Sequence, residues 1–342
     1  VAESGSTVVV VGAGIAGLAC ARELAAAGRR ILVLERARGV GGRCATRRVE
    51  GQPVDFGVAF LHGRDPEFLA ALEQVPAERL DGWPVAIAGA GRPCQPSVFS
   101  PGERRLAFAE GVTAFPKHLA AGLEVRLRTT VTALETAGAK VRLRLQDGPA
   151  IEADEVVLAL AAEQAHELLG TVPGALHEIE GARGLLSLTR SQPCLALIAA
   201  YAPTTPAPPW HALFPADSRV LQLISHDSSK RPHAGMLAIV YQAHARWSAA
   251  RLEDPDWPVE LLREATRLLG AWAAVPAVTE AHRWRWARND RSAELSGPLL
   301  LTLPGGGRLG VCGDRFAPGA GLEAAWRSGR AMARRILEGD GR

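Results

Sequence analysis

The chain has 342 residues, 47% hydrophobic and 22% charged, which suits two soluble domains or one large α/β unit. Its net charge of +3 comes almost wholly from arginine, with only three lysines (Lys117, Lys140 and Lys230). The arginines are scattered among acids and form no stripe, which argues against a nucleic-acid partner. Five cysteines (Cys20, Cys44, Cys94, Cys194 and Cys312) include no C-x-x-C pair, so neither a metal site nor a disulfide framework is expected, and a reducing cytoplasm is the simplest home. The N-terminal residues lack the basic and apolar regions of a signal peptide, and the longest apolar runs, such as 195–202, are too short for a bilayer, so no membrane partner is expected.

In chain order, TVVVVG at 7–12 predicts a short, fully buried strand, and the alanine-rich run 15–27 predicts a helix that Gly28 can end. ILVLE at 31–35 predicts a second strand, which completes a βαβ unit with a parallel pair. Residues 83–108 read as short strands and turns, with AGAGRP at 88–93 as a hairpin signal. A helix follows at 112–122, then strands at 125–135, 141–148 and 153–160, the last another buried parallel-type run. From about 165 to 292 the chain is richer in Pro, Trp and His. Strands are predicted there at 195–201, 219–225 and 236–242, and an amphipathic helix from about 258 to 272. The strand 309–314 and the helix 322–338 close the chain. The fold class predicted is α/β: a Rossmann-type cofactor domain with a parallel sheet (1–77, 109–165 and 293–342) and a second, α+β substrate domain (78–108 and 166–292).

Gly12-Ala13-Gly14-Ile15-Ala16-Gly17 is a G-x-G-x-x-G turn between that strand and that helix. Gly12 permits the tight turn, Gly14 lets backbone approach a pyrophosphate, and Gly17 lets the helix pack on the strand. The helix N-terminus at Ile15 and Ala16 offers N–H groups and a positive dipole end to the anion. Glu35, 18 residues beyond Gly17, ends the next strand, where its carboxylate can accept both hydroxyls of an adenosine ribose. A carboxylate there disfavours the 2′-phosphate of NADP, although Arg36 and Arg38 stand next to it. The pair Gly41-Gly42, followed by Arg43, suits close approach to a further part of a long cofactor, which favours FAD over NAD.

These residues carry a resemblance. GAGIAGLACARELAAAG with LERARGVGGRCATRR resembles the FAD-dependent amine oxidase superfamily, and within it the renalase-like branch, especially its bacterial members. That branch carries G-V-G-G-R-M-A-T-R-R and then D-H-G-A-Q-Y-F. Here the runs are GVGGRCATRR and, from Asp55 to Leu61, DFGVAFL. SHDSSKRP around Lys230, HRWRWA at 282–287 and CGDRFAPGAGLEAAWRSG at 312–329 extend the similarity along nearly the whole chain. The resemblance implies non-covalent FAD, since Cys312 precedes Gly-Asp and is not placed as a flavin-tethering cysteine. It implies that Ala59 and Phe60 touch the flavin and that Val131 meets the adenine. Asp314, after Gly313, would accept from a ribitol hydroxyl. Gly319 and Gly321 would let backbone face the flavin, and the helix from Leu322 would aim its positive end at the ring.

The activity implied is oxidation of dihydro isomers of NAD(P), with hydride passing to FAD and O2 reoxidising the flavin to give hydrogen peroxide. Such chemistry needs orientation and a dry flavin face more than a general base. The alternatives are an amine oxidase or other small-molecule oxidase, and a flavin-binding protein without turnover. An amine oxidase calls for an aromatic cage, and the chain's two tyrosines, Tyr201 and Tyr241, do not lie just before Gly313-Asp314. The chain departs from the branch in the flavin-contact run, where Ala59 replaces glutamine and Phe60 replaces tyrosine. The candidate catalytic groups are Lys230, which could hold a water near the flavin or meet a substrate phosphate, and His62, each weighed against a solvated or surface role. His226 and His282 read as structural. Trp284 and Trp286 share one face of a strand. Lys230, Arg231, Arg283 and Arg285 form a candidate phosphate-binding group on charge alone.

Overall fold

The computed structural model describes residues 7–174, 176–231, 235–289, 295–319 and 321–339. The chain divides into two compact units: residues 1–42, 115–191 and 289–342, and residues 43–114 and 192–288. The stretches 43–77 and 109–114, which the sequence reading grouped with the cofactor domain, belong to the second unit, and 166–191 belongs to the first. The hairpin Thr46–Val49 with Gln52–Asp55 explains part of that difference, because its Val49 and Val54 share a core with Ile198, Ala200 and Val240. The expected return into the cofactor domain at 293 lies outside the described residues.

The first unit is built on a six-stranded sheet. Its spatial order is Leu299–Thr302, Arg308–Val311, Glu155–Leu158, Thr7–Val11, Arg30–Leu34 and Glu124–Arg126. All neighbouring pairs are parallel except the first, which is antiparallel. The central strands are apolar without alternation because both faces are covered. Val9, Leu32, Val156 and Leu309 all enter one core. A small antiparallel sheet (Val131–Ala137, Lys140–Leu145, Ile151–Ala153) adds Leu134, Val141 and Leu143 to it.

The predicted strand 125–135 is two strands, Glu124–Arg126 and Val131–Ala137, that serve different sheets. Between them Arg128 turns through φ +53°, and the amides of Arg128 and Thr129 donate to the carbonyls of Ala37 and Glu35. Apolar alternation continues across this break, which is why the sequence shows one run.

The second unit carries a six-stranded sheet in the order Val278–Asn289, Ser191–Tyr201, Leu237–Ala243, Leu221–His226, Ala212–Leu213 and Ile87–Ala88. The helix Trp257–Leu269 packs on it through Trp257, Leu261 and Ala265, spaced at the period of one helical face. The AGAGRP segment does not form a hairpin. Ile87–Ala88 pairs in parallel with Ala212–Leu213, and a Cβ on Gly89 or Gly91 would fall 2.2 or 2.7 Å from the Phe214 carbonyl oxygen. Those glycines serve a close backbone approach, and that is the source of the turn-like composition.

Three glycines fix the geometry of the first helix, Ile15–Ala26. Gly12 has φ +104°, and a Cβ there would lie 2.5 Å from the Ala159 carbonyl oxygen. A Cβ on Gly17 would lie 2.0 Å from the Gly12 carbonyl oxygen. On the C-terminal helix, Gly321–Gly339, a Cβ on Gly329 would lie 2.1 Å from the carbonyl oxygen of Ala16. The two helices therefore cross backbone to backbone. An exposed mid-helix Gly→Ala normally stabilises by about 1 kcal/mol. Gly329→Ala is expected to reverse that sign and destabilise by about 2 kcal/mol or more, because rigid backbone must move. Urea unfolding of the variant against the wild type measures this, and equal midpoints would contradict the crossing.

Candidate functional site

In the first unit the two glycine segments and Glu35 form one cradle. Gly14 is the N-cap of the first helix and makes no side-chain capping bond, and no acid occupies the first turn. A 12-residue helix thus begins with neither a capping side chain nor a first-turn acid at its positive end. A Cβ added to Gly14 would meet nothing within 4 Å, so the protein itself does not require glycine there. Gly41 bridges to Gly14, and its amide donates to the Ala13 carbonyl at 2.8 Å. Gly42 (φ +55°) follows and is exposed.

Glu35 is 9% exposed. Its Oε2 accepts from the Ala13 amide and its Oε1 from the Ala37 amide, both at 2.8 Å. Each oxygen keeps a further lone pair, so the carboxylate is fixed beside the glycine turn and still able to accept hydroxyl donors. Ala16 is buried in the helix's first turn, while Arg36 is exposed. Val131 begins its strand, buried in the shared core.

The C-terminal motif lies in the same unit. The Gly313 amide donates to Ser328 Oγ at 3.1 Å, which ties the turn to the C-terminal helix, and Asp314 beside it is half-buried. The helix starts at Gly321 (φ +49°), one residue before the expected Leu322. Glu323, buried in its first turn, is a residue the sequence reading missed. Its acid competes for the positive helix end that was assigned to the flavin. Cys312 is fully buried, with its thiol pushed up to about 12 by burial.

In the second unit, Lys230 is 1% exposed and closes the short 3-10 turn Asp227–Lys230. Its Nζ donates to Asp55 Oδ2 at 2.6 Å, Asp227 Oδ1 at 2.6 Å and the Ala59 carbonyl at 2.7 Å. An ammonium has three protons, and all three are used. Lys230 is therefore buried and fully hydrogen-bonded within the protein, not the solvated lysine that was the alternative to a catalytic role. Its Nζ also lies 4.5 Å from the centre of the Trp83 ring.

Asp55 Oδ1 accepts from Thr46 Oγ1 at 2.6 Å and from the Val112 amide at 2.9 Å. Arg231 donates to Asp227 Oδ2 at 2.7 Å and to the Ala109 carbonyl at 2.7 Å. Burial pushes the Asp55 carboxyl up, with Lys230 pulling against it. Asp227 is equally buried, yet Lys230 and Arg231 together hold it below the usual carboxylate range.

The remaining candidates separate. His62 lies in the strand Leu61–Gly63, not in a surface loop. Its Nδ1 is 2.7 Å from Glu103 and its Nε2 is 2.6 Å from Gln95, so both ring nitrogens are engaged and the ring is held structurally. The proposed four-residue cationic group does not converge. Arg283 donates to the carbonyls of Leu252 and Asp254, Arg285 pairs with Glu253, and Lys230 and Arg231 are spent on buried aspartates.

Arg43 donates to the Ala287 carbonyl at 3.4 Å. Phe60 is buried against Trp83, and Ala59 joins the same cluster. His282 and Trp284 share a face of their strand. Trp284 stacks on Phe56 at 5.2 Å, and His282, half-buried, is lowered to about 4 by burial and by Arg47, which keeps it neutral at pH 7. Asp55 and Asp227 are the partners that sequence reasoning missed. The only local signal was the i, i+3 spacing of Asp227 and Lys230.

Among the described residues no helix is long and apolar enough to cross a membrane, and no group of His, Cys, Asp and Glu could hold a metal ion. The sequence matches the NAD(P)-binding Rossmann-like domain over residues 10–75 and the flavin containing amine oxidoreductase family over residues 94–337. It is 57% identical to AofH of Mycobacterium tuberculosis over 54 residues, 16% of this chain and 12% of that protein. It is 44% identical to putrescine oxidase of Kocuria rosea over 71 residues, 21% of this chain and 15% of that one. These aligned stretches span less than a sixth of either relative. The fold is similar to cyclohexylamine oxidase from Brevibacterium oxydans, with TM-score 0.74 and 14% identity over 99% of this chain and 100% of that one. It is also similar to putrescine oxidase, with TM-score 0.71 and 15% identity over 98% and 99%. With most of its length matched by the family, from the strands after the glycine cradle to the C-terminal helix, the chain belongs to the flavin containing amine oxidoreductases, a family of FAD-dependent oxidoreductases.

Proposed function

We propose that the protein is an FAD-dependent oxidase of the renalase-like type, acting on dihydronicotinamide isomers of NAD(P) in a reducing cytoplasm. FAD is held without a covalent link, chiefly by the first unit, and the substrate chiefly by the second. The adenosine and pyrophosphate end fits the cradle of Gly12, Gly14, Ala16, Gly17, Glu35, Gly41 and Gly42, with Arg43 following. Uncapped amides and a bare Cα face an anion there, and a fixed carboxylate faces hydroxyls. Asp314, Gly321 and Leu322 at the C-terminal motif, Val131, and Ala59 with Phe60 complete the set. Bound FAD supplies a two-electron acceptor that O2 reoxidises with release of hydrogen peroxide.

The observation that carries the choice of substrate is the fate of the tyrosines. Tyr201 and Tyr241 are the chain's only two, both are fully buried, and their hydroxyls are 2.7 Å apart. Tyr201 also donates to the Ala273 carbonyl, and burial pushes its hydroxyl up to about 12. Both are locked in a core, so neither is available to guide a neutral amine. Lys230 likewise has no proton left for a bound water. A substrate that is itself a good hydride donor needs neither device, only orientation and exclusion of water. A second reading, oxidation of an amine, is favoured by the similarity to putrescine oxidase.

Anaerobic mixing of the FAD-loaded protein with 2- and 6-dihydro-NAD(P) and, separately, with an amine panel decides between them. The expected result is rapid bleaching of the flavin band by the dihydronicotinamides alone. Bleaching only by amines selects the second reading, and bleaching by neither leaves a flavin-binding protein without turnover.

The cradle has its own test. A Cβ at Gly14 meets no protein atom, and its φ of −75° suits any residue. Gly14→Ala is therefore expected to keep the stability of the FAD-free protein within about 1 kcal/mol while strongly reducing FAD retention. Glu35→Ala removes charge-assisted acceptors worth about 1.5–3 kcal/mol, so FAD affinity should fall by about 10- to 150-fold. Unchanged FAD affinity in Gly14→Ala would remove the backbone from the pyrophosphate site, and unchanged affinity in Glu35→Ala would remove the carboxylate from the ribose.

A further inference from the structure

The segment Asp55–Phe60 is where this chain departs in side chains from the renalase-like run it resembles, and its backbone is held from many sides. The amides of Asp55, Phe56 and Val58 donate to Asp227 Oδ1 and to the carbonyls of Ala45 and Arg43. The carbonyls of Phe56, Gly57 and Ala59 accept from Trp284 Nε1, Gln242 Nε2 and Lys230 Nζ, the last two at 2.5 and 2.7 Å. Gly57 is packed so closely that a Cβ would fall 2.2 Å from the Arg43 carbonyl oxygen. Of these groups Lys230 alone grips both ends of the segment, at Asp55 Oδ2 and at the Ala59 carbonyl, and it also ties both to the Asp227 turn.

We propose that Lys230 is a positioning residue: by holding the Ala59 carbonyl and the Asp55 carboxylate together, it sets the conformation in which the Asp55–Phe60 segment meets the flavin. This rests on the reading that Ala59 and Phe60 lie against FAD. The chemistry is specific to an ammonium. Three convergent acceptors 2.6–2.7 Å away match its three protons, and two carboxylates plus Arg231 leave the cluster neutral. A fully buried group with no remaining donor cannot deliver a proton or a water to substrate, but it can fix a carbonyl to within a few tenths of an ångström.

The test compares the full-length wild type with Lys230→Met and with the double variant Asp55→Asn, Lys230→Met. Lys230→Met leaves Asp55 without a cation. The double variant keeps the remaining Asp227–Arg231 pair neutral, so it decides the matter if the single variant does not fold. Four quantities are read: the thermal midpoint of the FAD-free protein, the FAD Kd by fluorescence titration, the position of the visible flavin band, and the flavin midpoint potential. Displacing the segment is expected to raise the FAD Kd by ~10-fold or more and to move the band and the potential, with the double variant unfolding cooperatively. A double variant with wild-type Kd, band and potential and only a lower thermal midpoint would overturn the proposal and leave Lys230 as core structure. Wild-type Kd and band with a slowed reduction by substrate would overturn it in favour of direct catalysis. Failure of the wild type itself to bind FAD would remove the underlying reading instead.

Discussion

The first unit depends on how closely two stretches of backbone can approach when no Cβ stands between them. Gly12 against Ala159, Gly17 against Gly12, and Gly329 against Ala16 are three approaches that a single methyl group would block. Together they set the depth and direction of the first helix relative to the parallel sheet. At that helix end a helix start without a capping side chain, a bare Cα at Gly14 and the Glu35 carboxylate occur together. The cradle is thus a consequence of packing: the geometry that lets the helices cross also leaves the loop open to an anion.

The second unit contains an opposite kind of constraint. A fully buried lysine is costly to desolvate, and paired burial often does no better than apolar packing of the same volume. Removing one partner from such a cluster typically costs about 3–5 kcal/mol, because the others are left uncompensated. Such a group therefore specifies geometry more than it adds stability. Lys230, Asp55, Asp227 and Arg231 join the hairpin end, the Asp227 turn and the Ala109 carbonyl, segments far apart in sequence. Apolar side chains could fill the same volume, but they could not select these backbone atoms.

What the sequence revealed follows the range of the interaction involved. The βαβ unit was legible because both strands are apolar on both faces and the turn chemistry is local. The hairpin Thr46–Asp55 was not. Its turn residues, Glu50 and Gly51, both have positive φ, but Glu-Gly is a weak form of that turn and its first strand carries two adjacent arginines. The hidden partners of Lys230 illustrate the limit further. Asp55 lies 175 residues away in the chain, and no spacing rule connects them. A chain so poor in lysine that buries one of its three had a use for an ammonium in place of a guanidinium, yet only the fold says where.

The altered run Asp55–Leu61 takes on a different meaning in this light. Ala59 and Phe60 stand where the run this segment resembles has glutamine and tyrosine, so two hydrogen-bonding side chains are gone, and Val58 is bulkier than the alanine there; on the sequence alone that threatens substrate chemistry more than backbone contacts to a flavin. The course of the segment is fixed by groups outside it, through the carbonyls of Phe56, Gly57 and Ala59 and the amides of Asp55, Phe56 and Val58. None of those bonds uses a side chain at 58, 59 or 60, so substitution there changes the chemistry offered without changing the path of the backbone. A flavin held mainly by backbone tolerates such changes, whereas a substrate recognised by side chains does not. The segment is therefore one whose side chains can vary while the path of its backbone is kept.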